Sequence, residues 1–340
     1  NKVIHPLPVD LQTIRFPYAC YTDEDISNRI IYVEASRGCP FKCEFCLSAL
    51  DKTVYPFNLD AFLEQMQTLY SRGVRHFKFV DRTFNLKVDS SIRIMEFFLD
   101  KQDDDLFLHF ELIPDHLPER LKSVIARFPE HSLQFEIGIQ TLNPEVQQDI
   151  SRNQNTEKSR ANLSWIRNHS HAHIHADLII GLPGEDVQSF ARGFNELMSM
   201  NPHEIQVGIL KRLRGSPIIR HTDAFDMRYM PYPPYNILSN RDIDFETMQR
   251  LSRFARYWDI IINSGRFKNS RDLLLGDMPF ENFLKLSDWI YTETQQTHKF
   301  ALERIFQLLY IAMTELFMLD SADVEQQLIK DYKASGLKGM

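Results

Sequence analysis

Three cysteines, Cys39, Cys43 and Cys46, sit within one short stretch, VEASRGCPFKCEFC, directly after an apolar run. The chain has only 4 cysteines in all, so the C-x3-C-x2-C spacing asks for a chemical reason. Short spacings let a single loop wrap a compact inorganic centre, and thiolates are the ligands of iron–sulfur clusters. A cubane cluster anchored by three thiolates keeps one iron open as a Lewis-acid position for a chelating ligand. A structural zinc site wants four closed ligands, commonly from paired C-x2-C knuckles. Here the fourth would have to be Cys20 or a histidine, and there is no second knuckle. So few cysteines do not make a disulfide scaffold, which leaves the reducing cytoplasm as the default compartment. The spacing predicts a [4Fe-4S] cluster.

The surrounding sequence supplies elements that could hold such a loop. From residue 30, short apolar runs rich in β-branched and aromatic residues alternate with helical patterns. Strands are predicted at 30–36, 76–81, 106–113, 132–140, 175–182 and 204–213. Six β-then-α units in a row imply an α/β fold with a parallel sheet and right-handed crossovers. Spacing alone leaves open whether that sheet is doubly wound or a partial or full barrel. The rhythm stops near residue 215; RYMPYPPYNIL (228–238) reads as a proline-rich connection, and the patterns are helical from about residue 243. The expected organisation is a lead-in over 1–29 carrying Pro6, Pro8 and Pro17, a core over 30–216 and an all-helical region over 217–340.

Composition narrows the partners. A net charge of −7 and a pI near 6.0 argue against a nucleic acid held chiefly through its phosphates, because counterion release needs clustered Lys and Arg. No secretory signal is visible and no apolar run is long enough to span a bilayer; the longest candidate, 306–320, is interrupted by Glu315.

RGCPFKCEFC resembles the signature of the radical S-adenosylmethionine superfamily, C-x3-C-x-aromatic-C. The resemblance implies a partial, TIM-like (β/α)6 barrel with the cluster loop after the first strand, at the C-terminal face. It also implies S-adenosylmethionine chelated at the open iron and cleaved by one electron to methionine and a 5′-deoxyadenosyl radical. The blocks VEASRGCPFKCEFC, FVDRTFN, FEIGIQTLNPEVQQDISR and DLIIGLPGED resemble the subgroup that carries an N-terminal cobalamin-binding domain. RGSPI, YPPYNIL and SGRF resemble an uncharacterised helical domain that follows it. That keeps cobalamin open as a further cofactor. Its binding domain is not in these 340 residues and would lie upstream of Asn1, with residues 1–29 as the linker.

The resemblance also assigns roles position by position, with Cys39, Cys43 and Cys46 as the cluster ligands. Phe45 would lie near the adenine, or else pack in the core. Where relatives hold the methionine amino group with a Gly-Gly-Glu-like turn, this chain has Asp81-Arg82-Thr83, and Asp81 would accept from the ammonium there or else be a solvated strand-end aspartate. Glu111 and Glu136 are carboxylates inside apolar strands, a costly placement unless they are paired or used. Alternation puts Gln134, Glu136, Gly138 and Gln140 on one side of their strand; facing the lumen, Glu136 and Gln140 would reach the ribose or the substrate. Arg152 stands where relatives set an arginine against the methionine carboxylate. Gly181 and Leu182 end the fifth strand and Gly184 opens the next helix, an arrangement suited to adenine lying against the backbone. His169, His171, His173 and His175 alternate, and histidines two apart on a strand share a face and can bind zinc, but they lie before or at the N-terminal end of the fifth strand and read as polar residues of the barrel bottom or of a loop.

The sequence thus predicts a radical S-adenosylmethionine enzyme with its catalytic residues unassigned. It would take a small-molecule or otherwise unidentified substrate and an electron donor such as flavodoxin or ferredoxin. The competing readings are an electron-transfer or regulatory iron–sulfur protein, which needs a fourth protein ligand, and a zinc-stabilised binding module.

Overall fold

Each of the six apolar runs forms a strand in the computed structural model, which describes residues 13–50, 53–101 and 103–336. After a short helix α1 (Asp23–Asn28), capped by Thr22, comes β1 (Ile31–Val33). β2 (Ser36–Gly38) and β3 (Val54–Pro56) pair antiparallel, with the cysteine loop between them in the chain. Then α2 (Leu59–Ser71), β4 (His76–Phe79), α3 (Val88–Leu99), β5 (Phe107–Leu112), α4 (Glu119–Ile125) and β6 (Leu133–Gln140) alternate. The alternation continues through α5 (Pro144–Asp149), α6 (Thr156–His169), β7 (His173–Ile180), α7 (Val187–Ser199) and β8 (Glu204–Ile209).

The sheet order is β1-β4-β5-β6-β7-β8, strictly sequential. A doubly wound sheet reverses its order at a switch point, whereas the wall of a βα barrel does not. The order therefore decides between the two architectures the sequence left open, in favour of the barrel type. The small β2–β3 pair was not foreseen. The strand expected at 30–36 ends at Val33, because the Asp81 carboxylate takes the amides of Ala35 and Ser36 and draws the chain out of the sheet. The strand expected to reach residue 213 ends at Ile209: the Leu210 amide still donates to Ile180, but the Leu210 carbonyl accepts from Ile237 and the Arg212 amide donates to Tyr235.

By contact density the described chain divides into two compact units. One comprises residues through Lys42, Ser48–Gly138 and Gln154–Ile174; the other comprises Cys43–Leu47, Ile139–Asn153 and the chain from His175 on. In the first unit one sheet face is wholly apolar. Phe77, Phe79, Leu108, Phe110, Phe135 and Ile137 are buried there. Phe79 meets Phe62 of α2 edge-on at 6.0 Å, and Phe77 lies 5.0 Å from Phe98 of α3. Each such side chain contributes about 1.5–3 kcal/mol by leaving water. This is the face that the helices cover.

The second unit holds β9 (Arg228–Tyr229) and β10 (Ile237–Ser239), a short antiparallel pair inside the stretch read as a connection. Helices follow: α8 (Phe245–Trp258), α9 (Arg271–Leu275), α10 (Pro279–Thr294), α11 (Leu302–Ile311) and α12 (Ser321–Ala334). They join α7 through an aromatic cluster, in which Phe194 meets Trp258 at 4.8 Å, Phe254 at 5.3 Å and Phe280 at 5.8 Å. β8 is an edge strand, and Asn263 covers it by bonding both the amide and the carbonyl of Ile205. Unpaired edges recruit other chains, so this side chain substitutes for a missing strand. No helix among the described residues is long and apolar enough to cross a membrane.

Asp331 of α12 is 1% exposed and accepts from the amides of Asn269 and Ser270, from Asn269 Nδ2 and from Ser270 Oγ. Replacing it leaves four donors without their acceptor. Asp331→Ala is expected to lower stability by about 2–4 kcal/mol in urea denaturation; a loss below about 1 kcal/mol would show that water reaches the pocket.

Candidate cofactor site

The cysteine loop opens at Gly38, whose φ of 98° lies in the left-handed region and where a Cβ would collide with the Thr53 carbonyl oxygen. Only glycine fits there. Cys39, Cys43 and Cys46 are all half-buried and none is in a disulfide. The Cys46 amide donates to the Cys43 carbonyl at 3.0 Å, closing a turn that carries two of the three sulfurs. Arg152 Nη1 lies 3.4 Å from Cys43 Sγ, across 109 positions of sequence. The guanidinium is thus a hydrogen-bond donor to one of the three sulfurs.

Among the described residues, no group of three His, Cys, Asp or Glu side chains converges on the position of a single metal ion. A four-iron cluster does not ask for convergence, because each thiolate takes its own iron corner. Half-buried thiols, a short turn and an adjacent cation fit a cluster ligand set.

Asp81 is 2% exposed and committed to the polypeptide. Its Oδ1 accepts from the amide and hydroxyl of Ser36, both at 2.6 Å, and its Oδ2 from the Ala35 amide at 2.9 Å. Burial pushes its carboxyl up to about 6, against the pull of those hydrogen bonds. The residue expected to meet a methionine ammonium thus anchors the segment that leads into Cys39.

On the helix-free face of the first unit, the polar strand residues form rows. Lys78, His109 and Gln134 are neighbours in register, as are Glu111 and Glu136. Glu136 Oε2 lies 3.0 Å from His109 Nε2 and 3.4 Å from Lys78 Nζ, and Glu111 Oε1 accepts from Arg82 at 3.1 Å. Burial pushes the Glu111 carboxyl up to about 7; Arg82 opposes the shift and the Glu136 charge adds to it. Alternation along β6 therefore works as the sequence implied, with Leu133, Phe135, Ile137 and Ile139 buried and the polar residues on the other side. Gln140 ends the strand at φ 70°, a left-handed conformation that costs a non-glycine residue about 1 kcal/mol or more. Strain of that kind marks a re-aimed side chain at a strand end.

In the second unit, Phe45 is half-buried and Leu182 fully buried. Gly181 has φ 90°, and a Cβ there would meet Ile237 Cγ2 at 2.7 Å and Met248 Cε at 3.2 Å. The close approach expected for a ligand at this glycine is used by the chain's own side chains. At Gly184 a Cβ would meet Asp149 Oδ2 and Phe225, so this turn too is closely packed. His173 and His175 lie at the N-terminal end of β7, while His169 ends α6, stacked on Trp165. His175 lies between Asp177, Glu204 and Gln206; burial opposes its charge, but those partners outweigh it and raise the imidazole to about 10. That is a paired cation, not a metal ligand.

Two carboxylates outside the sequence reading matter here. Glu44, inside the cysteine motif, is 3% exposed and bonded to Ser151 and His221. Glu185, one residue after Gly184, is 2% exposed and its Oε1 accepts from Thr141 Oγ1 at 2.5 Å. No sequence signal finds them, because a carboxylate in a polar loop reads as solvated.

Comparison with known proteins agrees with this fold and loop. Residues 33–196 match the family described as the Radical SAM superfamily. The chain carries a radical S-adenosylmethionine domain. Residues 223–339 match a second family, described as a protein of unknown function (DUF4080). The ribosomal protein uS12 methylthiotransferase RimO of Nitratiruptor sp. is 23% identical over 177 residues, covering 48% of this chain and 39% of that protein. The chain thus spans less than half the length of that relative. Among solved structures, the radical SAM enzyme coproporphyrinogen III oxidase (HemN) of Escherichia coli superposes with TM-score 0.50 at 17% identity, over 90% of this chain and 80% of that one. The cobalamin-dependent S-adenosylmethionine radical enzyme OxsB superposes with TM-score 0.56 at 12% identity, over 90% and 54%. Identities this low show a shared fold.

Burial holds the Glu185 carboxyl at about 7, above its ordinary 4.5, so the folded protein keeps a proton that the unfolded chain releases. Stability from this group is therefore lost as pH rises from about 4.5 to about 7. Glu185→Gln is expected to flatten that part of the profile, gaining up to about 3 kcal/mol on wild type between pH 5 and 8 in urea denaturation. Parallel profiles for the two proteins would show that the carboxyl is hydrated.

Proposed function

We propose that this chain is the core of a radical S-adenosylmethionine enzyme, with Cys39, Cys43 and Cys46 holding a [4Fe-4S] cluster. The observation that carries the reading is the C-x3-C-x2-C loop of half-buried cysteines with Arg152 against Cys43, within the residues matched to the superfamily. A cluster held by these residues would supply, when bound, the one-electron reductive cleavage of S-adenosylmethionine that starts hydrogen abstraction from a substrate.

The chain's own residues would bind and orient. Gly38 and Asp81 set the direction of the loop, and Arg152 supplies positive charge beside the thiolates. Gln140 at its strained strand end and Phe45 in the loop are the proposed contacts for the nucleoside; the Gly181–Leu182 strand end is packed by the chain's own side chains. Glu111 and Glu136, on the helix-free face with Lys78, His109 and Arg82, would present matched charges to the bound nucleoside and substrate. We read residues 1–29 as a lead-in, 30–216 as the catalytic core and 217–340 as an accessory helical domain. The electron would come from a donor such as flavodoxin or ferredoxin, and a reducible cluster suits the cytoplasm.

The reaction class extends to methyl transfer, with or without cobalamin, and to other C–H functionalisation. RimO is named for methylthio transfer to a ribosomal protein and OxsB for its cobalamin, which supports that range for this chain without choosing within it.

Anaerobic reconstitution followed by reduction with S-adenosylmethionine tests the reading. The wild type is expected to bind iron and sulfide, to change its electron paramagnetic resonance spectrum when S-adenosylmethionine is added, and to release 5′-deoxyadenosine. Cys43→Ala is expected to do none of these. A cluster indifferent to S-adenosylmethionine would favour an electron-transfer protein, and stoichiometric zinc without iron a binding module.

A further inference from the structure

Glu44 lies between Cys43 and Cys46, where a loop carboxylate would ordinarily be solvated, yet it is 3% exposed. Burying an ionised carboxylate costs several kcal/mol unless donors replace the lost water. Here three side chains supply them. Ser151 Oγ donates to Oε1 at 2.5 Å, the Arg220 guanidinium pairs with the same oxygen, and His221 Nε2 lies 2.9 Å from Oε2. The backbone of Glu44 is held as well: its amide donates to the Ile150 carbonyl at 3.1 Å, and its carbonyl accepts from the Ile218 amide at 2.9 Å.

Two segments therefore grip this residue. One is the end of α5, where Ile150 and Ser151 hold Glu44 and the next residue, Arg152, reaches Cys43 Sγ. The other is the single 3-10 turn Pro217–His221, beyond the last strand of the sheet. His221 is itself buried, with its ring edge-on to Phe225 at 5.6 Å. The turn is thus a fixed wall rather than a mobile flap. A loop that must hold sulfurs in one geometry gains from such a grip, because metal affinity depends on how firmly the groups behind the ligands are oriented.

We propose that Glu44 is a positioning residue for the cofactor: its buried carboxylate, gripped by Ser151, Arg220 and His221, fixes the turn that presents Cys43 and Cys46. The first turn beyond the βα region is then a working part of the cluster site. The inference rests on the reading that the cysteines hold an iron–sulfur cluster.

The test uses Glu44→Gln, His221→Phe and the double variant. His221 is 177 positions from Glu44 and outside the cysteine motif, so its substitution alters no ligand. In the metal-free protein, trypsin cleavage after Lys42, mapped by mass spectrometry, reads how firmly the loop is held. In the reconstituted protein, iron loss to a chelator and the resonance spectrum with S-adenosylmethionine read the site itself. Each single variant is expected to speed both cleavage and iron loss by about tenfold or more and to alter the spectrum. The double variant should be little worse than either single one, since both break one contact. Ser151→Ala, which removes one donor, keeps the test decisive should Glu44→Gln fail to fold. A wild type that loads normally beside variants that keep their cluster equally well overturns the proposal alone. A wild type that takes up no iron–sulfur cluster overturns the proposal and the reading beneath it together.

Discussion

Three cysteines share one short loop, and a flexible loop would let their side chains separate. Arg152 donates to the Cys43 sulfur. The chain holds the loop with anchors before and within it. Upstream, Asp81 takes the Ala35 and Ser36 amides and Gly38 permits a turn no other residue could make. Within the loop, Glu44 is buried among donors. In each case a carboxylate that would prefer water is desolvated, and its need for donors becomes a positional restraint.

The sheet divides its labour by face. In the first unit, alternation sends aromatic residues such as Phe77, Phe79 and Phe110 to the helices, where their burial supplies stability. The same alternation leaves Lys78, His109, Glu111 and Glu136 on the other face, where Glu136 pairs with Lys78 and His109 and Glu111 pairs with Arg82. A paired set of charges costs less to hold near a low-dielectric region than an unpaired one, and it presents both donors and acceptors to a polar ligand. One period-two pattern thus serves core and site together.

The region beyond residue 216 is tied to the functional loops of its unit as well as to the helices. Ile237 and Met248 fill the space beside Gly181, Phe225 lies beside Gly184, and the turn at Pro217–His221 holds Glu44. These contacts are small in area, but they bear on backbone whose position matters chemically. An accessory region can in this way shape a site to which it contributes no ligand.

Local signals were enough to read the cysteine spacing, the six strands, the alternation on β6 and the helical character of the C-terminal region, because each is set by residues within a few positions of one another. Spacing did not separate a sequential strand order from a doubly wound one, since neighbouring strands are joined by crossovers and only hydrogen bonding reveals which pairs form; the resemblance carried by the cysteine motif had pointed to the barrel. Nor was the work of Asp81, Glu44 or Gly181. Their partners lie tens to nearly two hundred positions away, and a lone carboxylate or glycine in a loop carries no mark of what will be folded against it. Composition and periodicity determined which segments would bury apolar surface and which residues could bind metal. Tertiary structure alone decided which carboxylates lost their water, because desolvation depends on everything that packs around a group.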